Sequence, residues 1–127
     1  RKTQRLLKVQ EQLQKSAEWK LGSLQRKAAE LQDAQRVLIE TLNDDEKLHG
    51  LFVEPTARRL HELAGRASLV EQEREAQTKI VLDQTMKVKR TERLVDTLAV
   101  EHRRSSEKKD YLALLDRLAT KADASLP

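Results

Sequence analysis

Cysteine is absent from these 127 residues, which removes disulfides, thiolate metal sites and a cysteine nucleophile together. Two prolines and three glycines leave few places where a helix is forced to stop. Trp19, Phe52 and Tyr111 are the whole aromatic complement, too little to fill a globular core. No apolar run approaches the ~20 residues that cross a bilayer, and no signal-peptide core is visible. A thiol-free chain of this kind suits a reducing, cytoplasmic setting. It opens on Arg1 rather than Met, and we expect a few native residues ahead of it.

What remains is charge and leucine. Charged residues make up 36% of the chain, yet 25 bases against 21 acids leave a net charge of only +4. Disordered chains combine low hydrophobicity with a strong net charge; here the charges nearly balance and the apolar residues recur at helical spacing. In the first half Leu6, Gln10, Leu13, Ala17, Leu21, Leu24, Ala28, Leu31, Gln35, Leu38 and Leu42 form a coiled-coil seam. It has one extra four-residue step at Ala17 to Leu21, a stutter that unwinds the supercoil locally. In the second half Leu60, Leu63, Ala67, Val70, Arg74, Gln77, Val81, Gln84, Val88, Thr91, Val95 and Leu98 repeat the rhythm, with Ala76, Ile80 and Leu94 widening the stripe.

The stretch "LNDDEKLHGLFVEPTARRL", residues 42–60, holds the stop signals between these seams. Asn43 with Glu46 three residues on has the form of a capping box, and a short helical turn is expected at about 44–50. Gly50 suits a helix C-terminus and Pro55 the first turn of the next helix. The expected fold is therefore all-α: a single coiled-coil domain over 1–127, a long antiparallel two-helix hairpin. Helix 1 runs over about 3–42, the tip over about 43–55 and helix 2 over about 56–123, since short connections make neighbouring helices antiparallel.

Closing the hairpin pairs Leu42 with Leu60, Leu38 with Leu63, Gln35 with Ala67, Leu31 with Val70, Leu21 with Val81, Leu13 with Val88 and Leu6 with Val95. Beyond about residue 101 the second helix has no partner in the chain. Its stripe of Tyr111, Leu112, Leu115 and Leu118 is left for residues ahead of Arg1, for a second copy (a homodimer), or for a partner protein. Trp19 is expected over the hairpin flank, and Phe52 with Leu48 and Leu51 forms either a lid on the turn or a docking knob.

Charge is distributed unevenly along the rod. Residues 1–27 carry eight bases and two acids, 28–76 six and eleven, and 77–127 eleven and eight. Folded as a hairpin, the rod is acidic towards its turn and basic towards its open end, where Arg1, Arg5 and Lys8 approach Lys87, Lys89, Arg90 and Arg93. Such a field steers an acidic partner to one end.

Chemistry is expected to be absent. "HELAG" at 61–65 has one His of the helical two-His zinc motif, Gly65 standing where the second is needed. "NDDE" lacks the spaced oxygen ligands of a calcium loop. There is no glycine-rich phosphate loop and no Ser/His/Asp arrangement. We therefore expect no enzyme, metal or cofactor. "MKVKRTER" at 86–93 and "RRSSEKK" at 103–109 are basic, but acids interrupt them and no aromatic is interleaved for base stacking, which argues against nucleic acid.

The segment "KTQRLLKVQEQLQKSAEWKLGSLQRKAAELQDAQRVLIETLND" and the basic helix after "EPTARRL" resemble the FliJ family of flagellar type III export components, whose shape is shared by the YscO-like stalks of injectisomes. The resemblance covers nearly the whole chain and rests on pattern and size. It implies a cytoplasmic stalk, peripheral to the export apparatus at the inner membrane. The open end of such a stalk enters a hexameric export ATPase, its turn meets the export-gate membrane protein, and some members escort export chaperones. Carried onto this chain, the ATPase-facing residues are Arg1, Arg5, Lys8, Lys87, Lys89, Arg90 and Arg93. The gate-facing residues are Leu48, His49, Leu51, Phe52, Leu60 and Leu63. An RNA-binding arm like the hairpin of seryl-tRNA synthetases, or a plain structural spacer, would account for the same residues in other ways.

Overall fold

The computed structural model describes residues 2–45, 50, 51 and 53–124. Two helices account for nearly all of them: α1, Lys2–Asp45, of 44 residues, and α2, Val53–Ala124, of 72 residues. They pack against each other along the length of α1 as an all-α antiparallel hairpin. At ~1.5 Å per residue α1 is a rod of about 66 Å and α2 one of about 108 Å. Ala, Leu, Glu, Gln, Lys and Arg dominate both helices and lose little rotamer freedom in a helix. The apolar seam supplies the tertiary burial that helices of this polarity need.

The α1 seam is more regular than the expected one. On α1, Thr3, Leu7, Gln10, Gln14, Ala17, Leu21, Leu24, Ala28, Leu31, Gln35, Leu38 and Leu42 are all buried or half-buried. Their spacing alternates between four and three without a break. The expected stutter is absent. Leu6 and Leu13, 48% and 49% exposed, lie one residue off the seam, and Leu7 and Gln14 hold their places. Taking Leu6 for Leu7 and Leu13 for Gln14 is what makes the expected spacing irregular. An unbroken heptad instead keeps one stripe facing the partner along the whole rod, and the polar position is satisfied where Gln14 Nε2 donates to Thr85 Oγ1 at 3.2 Å.

On α2 the observed seam is Thr56, Leu60, Leu63, Ala67, Val70, Arg74, Gln77, Val81, Gln84, Val88, Thr91 and Val95. It agrees with the expected one up to Val95 and begins one step earlier, at Thr56. Leu98, Ala76, Ile80 and Leu94 are exposed, so the stripe is not widened: two helices bury a narrow a/d strip and leave its flanks to solvent. The grooves that join the helices keep the expected pair Leu31 and Val70, but they seat Leu63, expected opposite Leu38, beside Leu31 and put Leu7 in place of Leu6 beside Val95. Leu31, Leu63 and Val70 line one, and Leu7 and Val95 another.

Packing differs between the two halves of the overlap. Towards the turn the seam is leucine-rich, with Leu24 and Leu63 buried. Towards the open end it is polar, with Gln10, Gln14, Gln77, Gln84 and Thr91 among its members. Gln77 Nε2 donates to the Ala17 carbonyl oxygen of the other helix at 3.0 Å, a buried bond that ties one register to the backbone.

The connection also departs from expectation. Asn43 lies inside α1, which runs to Asp45, so it does not cap a separate turn; Glu46 and most of the expected 44–50 turn lie outside the described residues. Gly50 has φ of +75°, and its carbonyl accepts the Val53 N–H at 3.3 Å. Pro55 sits in the first turn of α2, where its missing N–H breaks no helical bond. A Cβ at Gly50 would meet Val53 at an ordinary 3.7 Å, so the obstacle to alanine is the backbone angle. Gly50→Ala is expected to destabilise the hairpin by about 1–2 kcal/mol, read as a lower urea midpoint. An unchanged midpoint would show that the turn carries no such strain.

Candidate interaction surfaces

Beyond the overlap α2 continues alone. Every residue from 101 to 123 is exposed, including Tyr111, Leu112, Leu114, Leu115 and Leu118. This free arm is about 35 Å long at ~1.5 Å per residue.

Of the basic residues assigned to the open end, Arg5, Lys8, Lys87, Lys89, Arg90 and Arg93 are exposed helix positions near it, and Arg1 lies outside the described residues. They do not form one patch. Arg5 and Arg93 point away from the seam, Lys8 and Lys89 lie on one side of the rod, and Lys87 and Arg90 on the other. Lys87 pairs with Asp83 at 3.0 Å, and Arg90 Nε donates to the Met86 carbonyl oxygen at 3.4 Å. Among the described residues all six ion pairs lie within one helix, three or four residues apart, and are solvent-exposed. Such pairs contribute only a few tenths of a kcal/mol each. The seam holds the hairpin; the charges are left to the surface.

At the turn, Leu51 is 76% exposed, Leu60 is half-buried, and Leu63, at 2% exposure, belongs to the core. Leu48, His49 and Phe52 lie outside the described residues. Trp19 was expected against the hairpin flank but is 72% exposed. Its place, two residues after Ala17, is on the outer face of α1, opposite the seam. His61 is exposed, and among the described residues no group of three His, Asp or Glu could hold a metal ion. No helix among them is long and apolar enough to cross a membrane.

One surface escaped sequence reasoning. Leu6, Val9 and Leu13 on α1 and Ile80 and Leu94 on α2 are exposed and precede the seam residues Leu7, Gln10, Gln14, Val81 and Val95. The local two-fold relating antiparallel helices is perpendicular to the plane of the rod, so it keeps each side in place. All five therefore share one side of the open half, with Lys20 and Lys87. The acids Glu11, Glu18 and Glu92, each following a seam residue, share the opposite side. A strict seven-residue step, which links Leu6 to Leu13 and Ile80 to Leu94, was the available signal. Searches of family models, curated proteins and solved structures find no match to this chain.

Proposed function

We propose that the chain is a coiled-coil component of a bacterial flagellar or type III protein export apparatus. It binds the hexameric export ATPase as a central stalk and escorts export chaperones. In this reading it is a cytoplasmic protein peripheral to the inner membrane, and its turn, with Leu51 exposed, meets the export-gate membrane protein. The reading rests on the resemblance of the sequence to FliJ-like stalks. The observation that favours it is the rod itself: two helices, about 20 Å across at ~10 Å each. One end is open, with Arg5, Lys8, Lys89 and Arg93 exposed and making no ion pair among the described residues. A shaft held in a ring must be narrow and must present its charges outward. An RNA-binding arm is less well supported, because Glu11, Glu18 and Glu92 share the open half and would repel a phosphate backbone.

The test is ATP hydrolysis by the cognate export ATPase with and without this protein. Stimulation and a stable complex are expected; neither appearing would overturn the proposal. The double charge reversal Arg5→Glu with Arg90→Glu is expected to weaken the complex by about tenfold, from about 0.5–1 kcal/mol per rim charge. It should also flatten the dependence on salt, since screened attraction is what it removes.

A further inference from the structure

We infer that one side of the open half is a lipid-binding face, on which the rod lies flat against an anionic bilayer surface. It is the side that carries Leu6, Val9, Leu13, Ile80 and Leu94. In the heptad frame three lines of α1 make it up, each stepping by seven residues. Leu6, Leu13, Lys20 and Lys27 run beside the seam. Arg5, Gln12, Trp19 and Arg26 form the outer edge, and Lys2, Val9 and two serines lie between. No acid occurs on these lines before Glu30. On α2, Ile80, Lys87 and Leu94 run beside the seam and Lys79, Met86 and Arg93 form the edge, with Asp83 and Arg90 between. Asp83 is the one acid on those lines between residues 76 and 100, and Lys87 neutralises it at 3.0 Å. Glu30 and Glu73 bound the strip towards the turn, and Glu101 bounds it at the arm.

The apolar and basic side chains of this strip are exposed. Among the described residues Lys87 alone of its cations makes an ion pair. The opposite side of the same stretch carries Glu11, Glu18, Glu92 and Asp96 against Lys8, Lys15 and Lys89. Charge is therefore divided around the rod as well as along it, and the cations fall on the side that also holds the exposed leucines.

That mixture selects the partner. A protein covering the leucines would also bury the lysines between them, and each would need its own acid. A nucleic-acid backbone would meet the cations but lay its phosphates on Leu6, Val9, Leu13, Ile80 and Leu94, with a single aromatic for stacking. An anionic headgroup layer accepts both. Apolar side chains dip into the acyl boundary while Lys and Arg stems reach back to the phosphates. Trp19 adds an indole, a ring enriched at bilayer surfaces. The contact is peripheral, because no helix among the described residues is long and apolar enough to cross a membrane. Apolar anchoring and charge attraction, each marginal alone, add on one face. A ring gripping the open half would cover the same side, so lipid and ring are alternative partners. The lipid face stands whether or not the chain serves an export ATPase.

Flotation of the full chain with vesicles tests this, using phosphatidylcholine alone and phosphatidylcholine with phosphatidylglycerol in equal parts. Binding to the anionic vesicles only is expected, with a blue shift in the emission of Trp19, the one tryptophan of the chain. Lys20→Glu should weaken partition at least about tenfold, since each cation at an anionic surface is worth about fivefold. Lys15→Glu changes the net charge equally from the opposite side and should leave partition within about threefold. Leu13→Ser should weaken it about fivefold through the lost apolar contact. All three sites are exposed, and unchanged far-UV helicity confirms folding. No partition into the anionic vesicles overturns the inference, as does partition that leaves Trp19 unshifted. Equal weakening by Lys15→Glu and Lys20→Glu overturns it too, because the attraction would then be one of net charge alone. Binding to single-stranded RNA without binding to vesicles also overturns it and assigns the face to nucleic acid. None of these readouts involves nucleotide hydrolysis, so failure here is separate from failure of the stalk proposal.

Discussion

Truncating Leu63 to alanine is expected to cost the hairpin about 3 kcal/mol, the largest loss for any single leucine of the rod. The side chain is 2% exposed, in the leucine-rich half of the seam, where it shares a groove with Leu31 and Val70. Leu→Ala changes in cores cost about 2–5 kcal/mol, the lost transfer energy plus a term for the cavity left behind. Two helices give little opportunity to collapse around that cavity, because the hydrogen-bonded backbones fix both walls. The control is Leu82→Ala on the outer surface of α2, where the leucine is exposed and the change should stay within about 0.5 kcal/mol. Urea unfolding followed by far-UV ellipticity gives both numbers. A small effect at Leu63 would mean that the two helices are not held together by this seam.

How far a sequence of this type can be read depends on which signal is repeated. The hairpin was legible because the apolar rhythm recurs over many turns on both sides of Gly50 and Pro55, so local exceptions average out. The α2 seam came out nearly residue for residue, since β-branched Val81, Val88 and Val95 mark every second position in an unbroken seven-residue repeat. The first turns of α1 were misjudged because Leu6 and Leu7 are adjacent and Leu13 precedes Gln14. At the first pair hydrophobicity does not choose, at the second it chooses the wrong residue, and packing follows periodicity at both. The same confusion hid the exposed apolar side, since leucines credited to the core could not also be counted as surface. Trp19 was misplaced for a related reason. Its size suggested burial, but a two-helix rod has an outer face with nothing to pack on. The basic end was legible as composition along the chain. How its charges divide around the rod depended on the correct heptad phase, and so became visible only in three dimensions.

Replacing Gln10 and Gln84 together by leucine is expected to stabilise the protein by about 2–4 kcal/mol. Both side-chain oxygens are buried, and neither Gln10 Oε1 nor Gln84 Oε1 has a hydrogen-bond partner. An unsatisfied buried polar group costs about 1–3 kcal/mol, and leucine adds apolar burial at the same volume. Gln10 and Gln84 stand one heptad along from Ala17 and Gln77, which touch across the helices, so their effects couple and the gain is that of the pair. Gln77→Leu is the informative contrast. Gln77 Nε2 already donates to the Ala17 carbonyl, so its loss removes a made bond, and little or no gain should follow. The polar seam thus lowers the stability of the open half relative to the turn half while one buried bond keeps the helices in register. Amide exchange should show this directly. In the natural protein the amides of residues 3–17 should exchange faster than those of 24–42, and Gln10→Leu with Gln84→Leu should narrow the gap. If the double variant is no more stable than the natural chain, those two oxygens are satisfied in solution, and the open half is not the weaker end of the rod.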